Sequence, residues 1–252
     1  PRLAALRSTF AGQKIDGFLI PRTDVHQGEY VPDCDARLAY MTGFTGSAGM
    51  AVVTTDLAAL FVDSRYTLQA PAQTDTAVVS IHDTTSVNPG DWIAENLPSG
   101  SRIGFDPWLH TPGRLASIRE PLEKAGIELI PVANPIDTIW TDRPMPPQGP
   151  LEVLGNNRTG KPTTEKLEDL RAAMAKEEAG AVVLTLPESI CWLFNIRGRD
   201  VPHNPFVLGF AIVPADGTPT LFVADNKLTD ENRSALAGTV ELAGKDGFEA
   251  AL

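Results

Sequence analysis

Asp63 and Arg65, two residues apart at the exit of an apolar run, carry the strongest chemical signal in the chain. Strand alternation puts a carboxylate and a guanidinium on one face of an extended segment, where they form an ion pair. The same guanidinium fork suits a peptide carbonyl or carboxylate presented by another surface, so pairing and ligand recognition are both open for Arg65. Gly43, Gly46 and Gly49 stand just upstream. Their spacing is neither GxGxxG nor GK[ST], and they lead into a strand rather than a helix. That favours a tight turn with close backbone packing over a phosphate cradle.

The other reactive side chains are dispersed. His26, His82, His110 and His203 form no HExxH and no helical pair facing a carboxylate. No metal ligand is therefore assigned. Asp33 and Asp35 flank Cys34 in a polar stretch and read as solvated or capping residues. No Ser/His/Asp or Cys/His constellation emerges, so no catalytic residue is assigned within the chain. Cys34 and Cys191 lie in different halves, outside any CxxC, and read as small reduced core residues.

The elements that position Arg65 follow from periodicity. Met50–Thr54 and Ala58–Val62, separated by Thr55 and Asp56, predict an antiparallel hairpin that delivers Asp63 at its end. Before it come a helix over Arg2–Lys14, a strand at Phe18–Ile20 and a short helix from Ala36 to Met41 closed by Gly43. After it come a helix opening near Arg65, a strand over Ala77–Ile81, a helix over Asn88–Leu97, a strand at Arg102–Phe105, a helix over Pro112–Ala125 and an edge strand over Ile127–Val132.

Pro135, Pro144, Pro146, Pro147 and Pro150 then mark a linker, residues 134–162, between a domain at 1–133 and another at 163–252. The second domain opens with Thr163-Thr164-Glu165 as a cap for Leu167, Leu170 and Met174. The strand Ala181–Leu186 follows.

The second domain repeats the first. FAIVPADGTPTLFVAD answers MAVVTTDLAALFVD, with Val213 opposite Val53 and Val223 opposite Val62 in the comparison. The first copy runs on through further strands and helices past its hairpin. The second does not, and is expected to be cut short within a larger protein.

Bulk properties set limits. A chain of 252 residues with 42% hydrophobic and 21% charged residues is a folded, soluble protein large enough for two domains. Its net charge of −11 disfavours nucleic acid and anionic membranes, and it holds no membrane-length apolar run and no basic leader. A cytoplasmic location is expected.

Taken in order, several blocks resemble the N-terminal part of the cytosolic-type aminopeptidase P family, three-domain Xaa-Pro aminopeptidases of the creatinase/prolidase metallopeptidase group. They are Asp24-Val25-His26-Gln27-Gly28-Glu29-Tyr30, Gly43-Phe44-Thr45-Gly46-Ser47-Ala48-Gly49, Asp63-Ser64-Arg65-Tyr66 with Leu68-Gln69-Ala70, and Ile139-Trp140-Thr141-Asp142-Arg143-Pro144. The last is Trp192-Leu193-Phe194-Asn195-Ile196-Arg197-Gly198, followed by Asp200-Val201 and His203-Asn204-Pro205. Val25, Gly28 and Ser64 depart slightly from the family's usual residues.

The resemblance implies an α/β fold of two creatinase N-terminal, ribonuclease-H-like modules, each a mixed sheet with helices on both faces. It implies a further "pita-bread" domain holding two divalent metals, typically manganese, and cleaving short peptides with proline at the second position. This chain would be its non-catalytic N-terminal part, inactive alone, with its own C-terminal catalytic domain as partner. Arg65 matches the arginine that reaches the substrate cleft in family members, and is the one residue given a substrate-binding role. The competing expectation is a stand-alone α/β module that binds a peptide or carboxylate. Oligomeric state stays open, a homo-oligomer included.

Overall fold

The computed structural model describes residues 1–252 and divides into two compact units, Pro1–Pro144 and Met145–Leu252. In the first unit, helix α1 (Arg2–Gln13) ends at Lys14 in a left-handed cap and leads to strand β1 (Gly17–Pro21). Helix α2 (Arg37–Thr42) is closed by Gly43 at φ 82°. The hairpin strands β2 (Met50–Thr54) and β3 (Ala58–Val62) follow, buried at every position because both sheet faces are covered. Then come α3 (Gln69–Gln73), β4 (Ser80–Asp83), α4 (Pro89–Asn96), β5 (Arg102–Phe105), α5 (Pro112–Lys124), β6 (Glu128–Pro131) and α6 (Ile136–Ile139).

The six strands form one mixed sheet in the order β4-β3-β2-β1-β5-β6. β2 is antiparallel to both β1 and β3, whereas β4, β5 and β6 join as parallel strands. Alternate residues feed two cores. Phe18, Ile20, Val53 and Leu60 pack with Leu6 and Phe10 of α1, Leu38 of α2 and Ile136 of α6. Leu19, Val52 and Phe61 pack on the other face with Trp92 and Ile93 of α4 and Leu115, Ile118 and Leu122 of α5.

The fourth strand sits at Ser80–Asp83 rather than over Ala77–Ile81. The Asp75 carboxylate accepts the Ala77 N–H at 3.1 Å and its carbonyl accepts those of Val78 and Val79, which folds that stretch into a turn.

The proline-rich stretch is not a free linker. Ile136 is fully buried and Trp140 stacks on Tyr40 at 4.5 Å, so its first part belongs to the first unit. Arg143 reinforces this. It meets Asp35 at 2.9 Å and Asp137 at 3.0 Å, alongside the buried Arg37, which binds the same two carboxylates at 2.9 and 2.7 Å. Asp35, read from sequence as solvated or capping, is a shared acceptor in a four-charge cluster.

The second unit takes up the chain with Leu151, buried and hydrogen-bonded through its N–H to the Lys227 carbonyl at 3.0 Å. Its elements are β7 (Glu152–Val153), α7 (Asn156–Thr159), α8 (Thr163–Lys176), β8 (Ala181–Leu184), α9 (Pro187–Leu193), β9 (Ile196–Arg197), β10 (Phe210–Pro214), β11 (Thr220–Val223), α10 (Asp230–Leu236) and β12 (Glu241–Gly244). Pro162, not a threonine, occupies the N-cap of α8, and no side chain caps it.

β7 and β9 make a two-stranded ribbon. The main sheet runs β12-β11-β10-β8, with β10 antiparallel to β8 and β11, and β12 parallel to β11. This reproduces the order and directions of β4-β3-β2-β1.

Each unit holds the expected mixed sheet packed with helices, and within these residues the helices of the second gather in one cluster. Leu167 of α8, Ile190 of α9 and Leu236 of α10 gather with Ala211, Val213, Leu221 and Val223 in one cluster. On the other face Phe248, from a 3-10 turn, stacks on Phe210 at 4.2 Å, and Val183 stays 45% exposed. The helices α4 and α5 that cover this face of the first sheet follow β4, whereas β12 is followed by two 3-10 turns.

Candidate functional site

Arg65 does not continue the β3 strand as alternation suggested. Asp63 caps a 3-10 turn, Ser64–Tyr66, by accepting the Arg65 N–H on Oδ1 at 2.9 Å, so the two side chains meet because the backbone turns. Arg65 Nε then donates to both carboxylate oxygens at 3.0 and 3.1 Å, and Nη2 donates to Oδ2 at 2.6 Å. The side chain of Arg65 is 63% exposed against 29% for Asp63. Nη1 has no protein acceptor, so a donor edge faces outward.

The Arg65 hydrogen bonds hold the Asp63 carboxyl below the usual range, and Asp63 in turn raises the guanidinium further. Both groups are fully charged at neutral pH.

Tyr66 sets the base of this turn. The Arg65 guanidinium lies 5.2 Å from the Tyr66 ring centre, and the Tyr66 hydroxyl accepts the Ser47 N–H at 2.9 Å. The Phe44 ring meets Tyr66 edge-on at 5.2 Å.

The glycine loop is shaped around these rings. A β-carbon on Gly46 would lie 2.1 Å from the Phe44 ring and 2.8 Å from that of Tyr66. At Gly43 it would lie 2.5 Å from the Gln73 carbonyl, on a backbone already at positive φ. The glycines serve close packing and fix the turn that carries Arg65.

The remaining sequence-selected residues do not join Arg65. His110 is buried, neither ring nitrogen has a partner, and burial with the Arg114 charge pushes its pKa down to about 4. Cys34 and Cys191 are free and buried, and burial pushes each thiol up to about 11, which makes them unreactive near neutrality. No group of three or more His, Cys, Asp or Glu side chains is arranged to hold a metal ion. Arg114 was not singled out from sequence. Folding brings it to line the same recess as Asp63, of about 270 Å³, a proximity that 50 intervening positions conceal.

The profile described as the creatinase/prolidase N-terminal domain matches residues 2–139, and a second profile of the same description matches residues 142–252. The chain belongs to the creatinase/prolidase N-terminal domain family. It holds two copies of this domain, as the repeated strand order indicates.

Among curated members, a probable Xaa-Pro aminopeptidase P of Neurospora crassa is 40% identical over 94% of this chain and 35% of its own length. Aminopeptidase P2 of Arabidopsis thaliana is 38% identical over 93% of this chain and 34% of its own. The chain thus spans about a third of these relatives. Among solved structures, the X-prolyl aminopeptidase of Caenorhabditis elegans, described as a cytosolic enzyme with a di-nuclear active site, matches 99% of this chain. It does so at TM-score 0.93 and 32% identity, and the match takes up 43% of that enzyme.

Proposed function

We propose that these residues form the two N-terminal, non-catalytic domains of a metal-dependent Xaa-Pro aminopeptidase, which removes the N-terminal residue of a short peptide whose second residue is proline. The observation that carries this reading is the match of nearly the whole chain to the Caenorhabditis elegans X-prolyl aminopeptidase at TM-score 0.93.

A pair of divalent metals does not fit the donor set here, since no His, Cys, Asp or Glu cluster of three exists. We assign the metals, manganese by resemblance, to a catalytic domain in the chain that follows. The second sheet repeats the strand order of β1 to β4, as two domains of one family would. The parent enzyme is read as cytoplasmic, in keeping with the cytosolic relative. No helix is long and apolar enough to cross a membrane.

Within this reading Arg65 is the substrate-facing residue. Asp63 fixes the guanidinium plane, and the free Nη1 edge donates to a peptide carbonyl or terminal carboxylate. Arg65→Ala in the longer protein tests this. Peptide kcat/KM is expected to fall about ten- to a hundredfold, the worth of one charged hydrogen bond, with unfolding midpoint and metal content unchanged. Unchanged kcat/KM would remove the role, and loss of folding would make Arg65 structural.

A further inference from the structure

The block Arg197 to Pro205 is not used by the Arg65 site, and it lines a cleft of about 590 Å³ within the second unit. Three guanidiniums, those of Arg158, Arg197 and Arg199, face this cleft with His203 and one carboxylate, Glu152. The chain as a whole carries a net charge of −11, so the local charge is inverted.

Glu152 is engaged by Arg158 at 2.6 Å. Arg197 spends Nη1 on the carbonyls of Cys191 and Ile196 at 3.0 and 2.7 Å, which orients the side chain without neutralising it. Arg199 is exposed and has no protein partner. Like charges gathered in one concavity repel unless a counter-charge enters.

The wall bearing these groups is held rigidly. Asp200, next to Arg199, is buried and accepts the Leu208 N–H at 2.7 Å and the Lys227 ammonium at 2.6 Å. Lys227 also donates to the Pro147 carbonyl at 2.9 Å. The loop closes through Gly198 N–H to the Pro205 carbonyl and Asp200 N–H to the Phe206 carbonyl, both at 3.2 Å. At Gly198 a β-carbon would lie 2.6 Å from Val207. His203 is held at φ 63°, a conformation that a bulky side chain rarely adopts without surrounding support. A buried ion pair thus anchors Asp200, the residue beside the exposed guanidinium of Arg199.

We propose that this cleft is an oxyanion-binding site, with Arg199 and the free edge of Arg197 as donors to a carboxylate or phosphate group. Planar guanidinium forks match both anions, and the reading stands apart from any role of Arg65.

Citrate and inorganic pyrophosphate, titrated separately into the 252-residue chain and followed by calorimetry, test the proposal. Saturation in the millimolar range or tighter, weakening as salt rises, is expected for at least one of them. Citrate alone assigns a carboxylate ligand, pyrophosphate alone a phosphorylated one, and both a general oxyanion site. Arg199→Ala is expected to weaken binding at least about tenfold, and Arg199→Lys less. Arg119→Ala, on the exposed side of α5 in the first unit, is expected to leave it unchanged. Failure of both ions to saturate, or equal binding by Arg199→Ala, overturns the proposal.

Discussion

Asp63 grips Arg65 through Nε and Nη2 while 63% of the arginine side chain stays exposed, so the guanidinium is oriented without being hidden. An exposed pair of this kind adds little to stability, since solvent screens it. Its value lies in fixing a direction. Asp63→Asn is accordingly expected to leave the thermal midpoint of the chain unchanged. In the longer protein it should lower peptide kcat/KM several-fold, less than Arg65→Ala does. Paired melting curves and kinetics check this, and a large loss of stability would show that Asp63 matters mainly as a turn cap.

The aromatic base of the turn is the fragile part. Gly46→Ala places a methyl 2.1 Å from the Phe44 ring and 2.8 Å from that of Tyr66, and Tyr66 cannot withdraw without loosening its hydrogen bond to Ser47. A loss of roughly 1–3 kcal/mol in urea unfolding is expected, the usual cost of overpacking. A changed tyrosine fluorescence would report displacement of Tyr66.

The cluster of Arg37, Arg143, Asp35 and Asp137 ties the start of the proline-rich stretch to α2. Arg37→Met leaves two carboxylates short of a partner and is expected to cost roughly 2–3 kcal/mol, less than a fully buried pair because Asp137 is 36% exposed. Adding Asp137→Asn should cost less than the sum of the single changes. Strict additivity in that cycle would deny the coupling.

His110 gives the first unit an acid sensitivity. Its folded pKa is about 4, below its ordinary value near 6.5, because the buried ring has no partner for a proton. The unfolded chain therefore binds more protons between those values, so its contribution is complete above pH 6.5 and lost as pH falls towards 4. The loss is on the order of 3 kcal/mol. Unfolding free energy measured from pH 7 to 4 should show this slope, and His110→Phe should flatten it.

Much of the fold was legible because burial patterns are local. Met50–Thr54 and Ala58–Val62 were placed to the residue, since β-branched apolar runs bounded by Thr55 and Asp56 leave few alternatives. The chain-order repeat likewise appears as two sheets with a shared strand order. What escaped depends on contacts distant in sequence or on single turns. Asp75 displaced a strand by capturing three N–H groups. Trp140 and Arg143 turned an expected linker into packed structure through Tyr40 and Asp35, about a hundred positions away. The Asp63–Arg65 pair was expected from spacing, but a 3-10 turn rather than a strand face produces it.

Hydrolysis of an Xaa-Pro peptide with manganese present, measured in parallel for the 252-residue chain and for the longer protein that contains it, decides whether these domains frame chemistry supplied elsewhere. The chain alone should show no turnover and the longer protein should cleave before proline. Turnover by the chain at the rate of the longer protein would contradict the proposed division of labour.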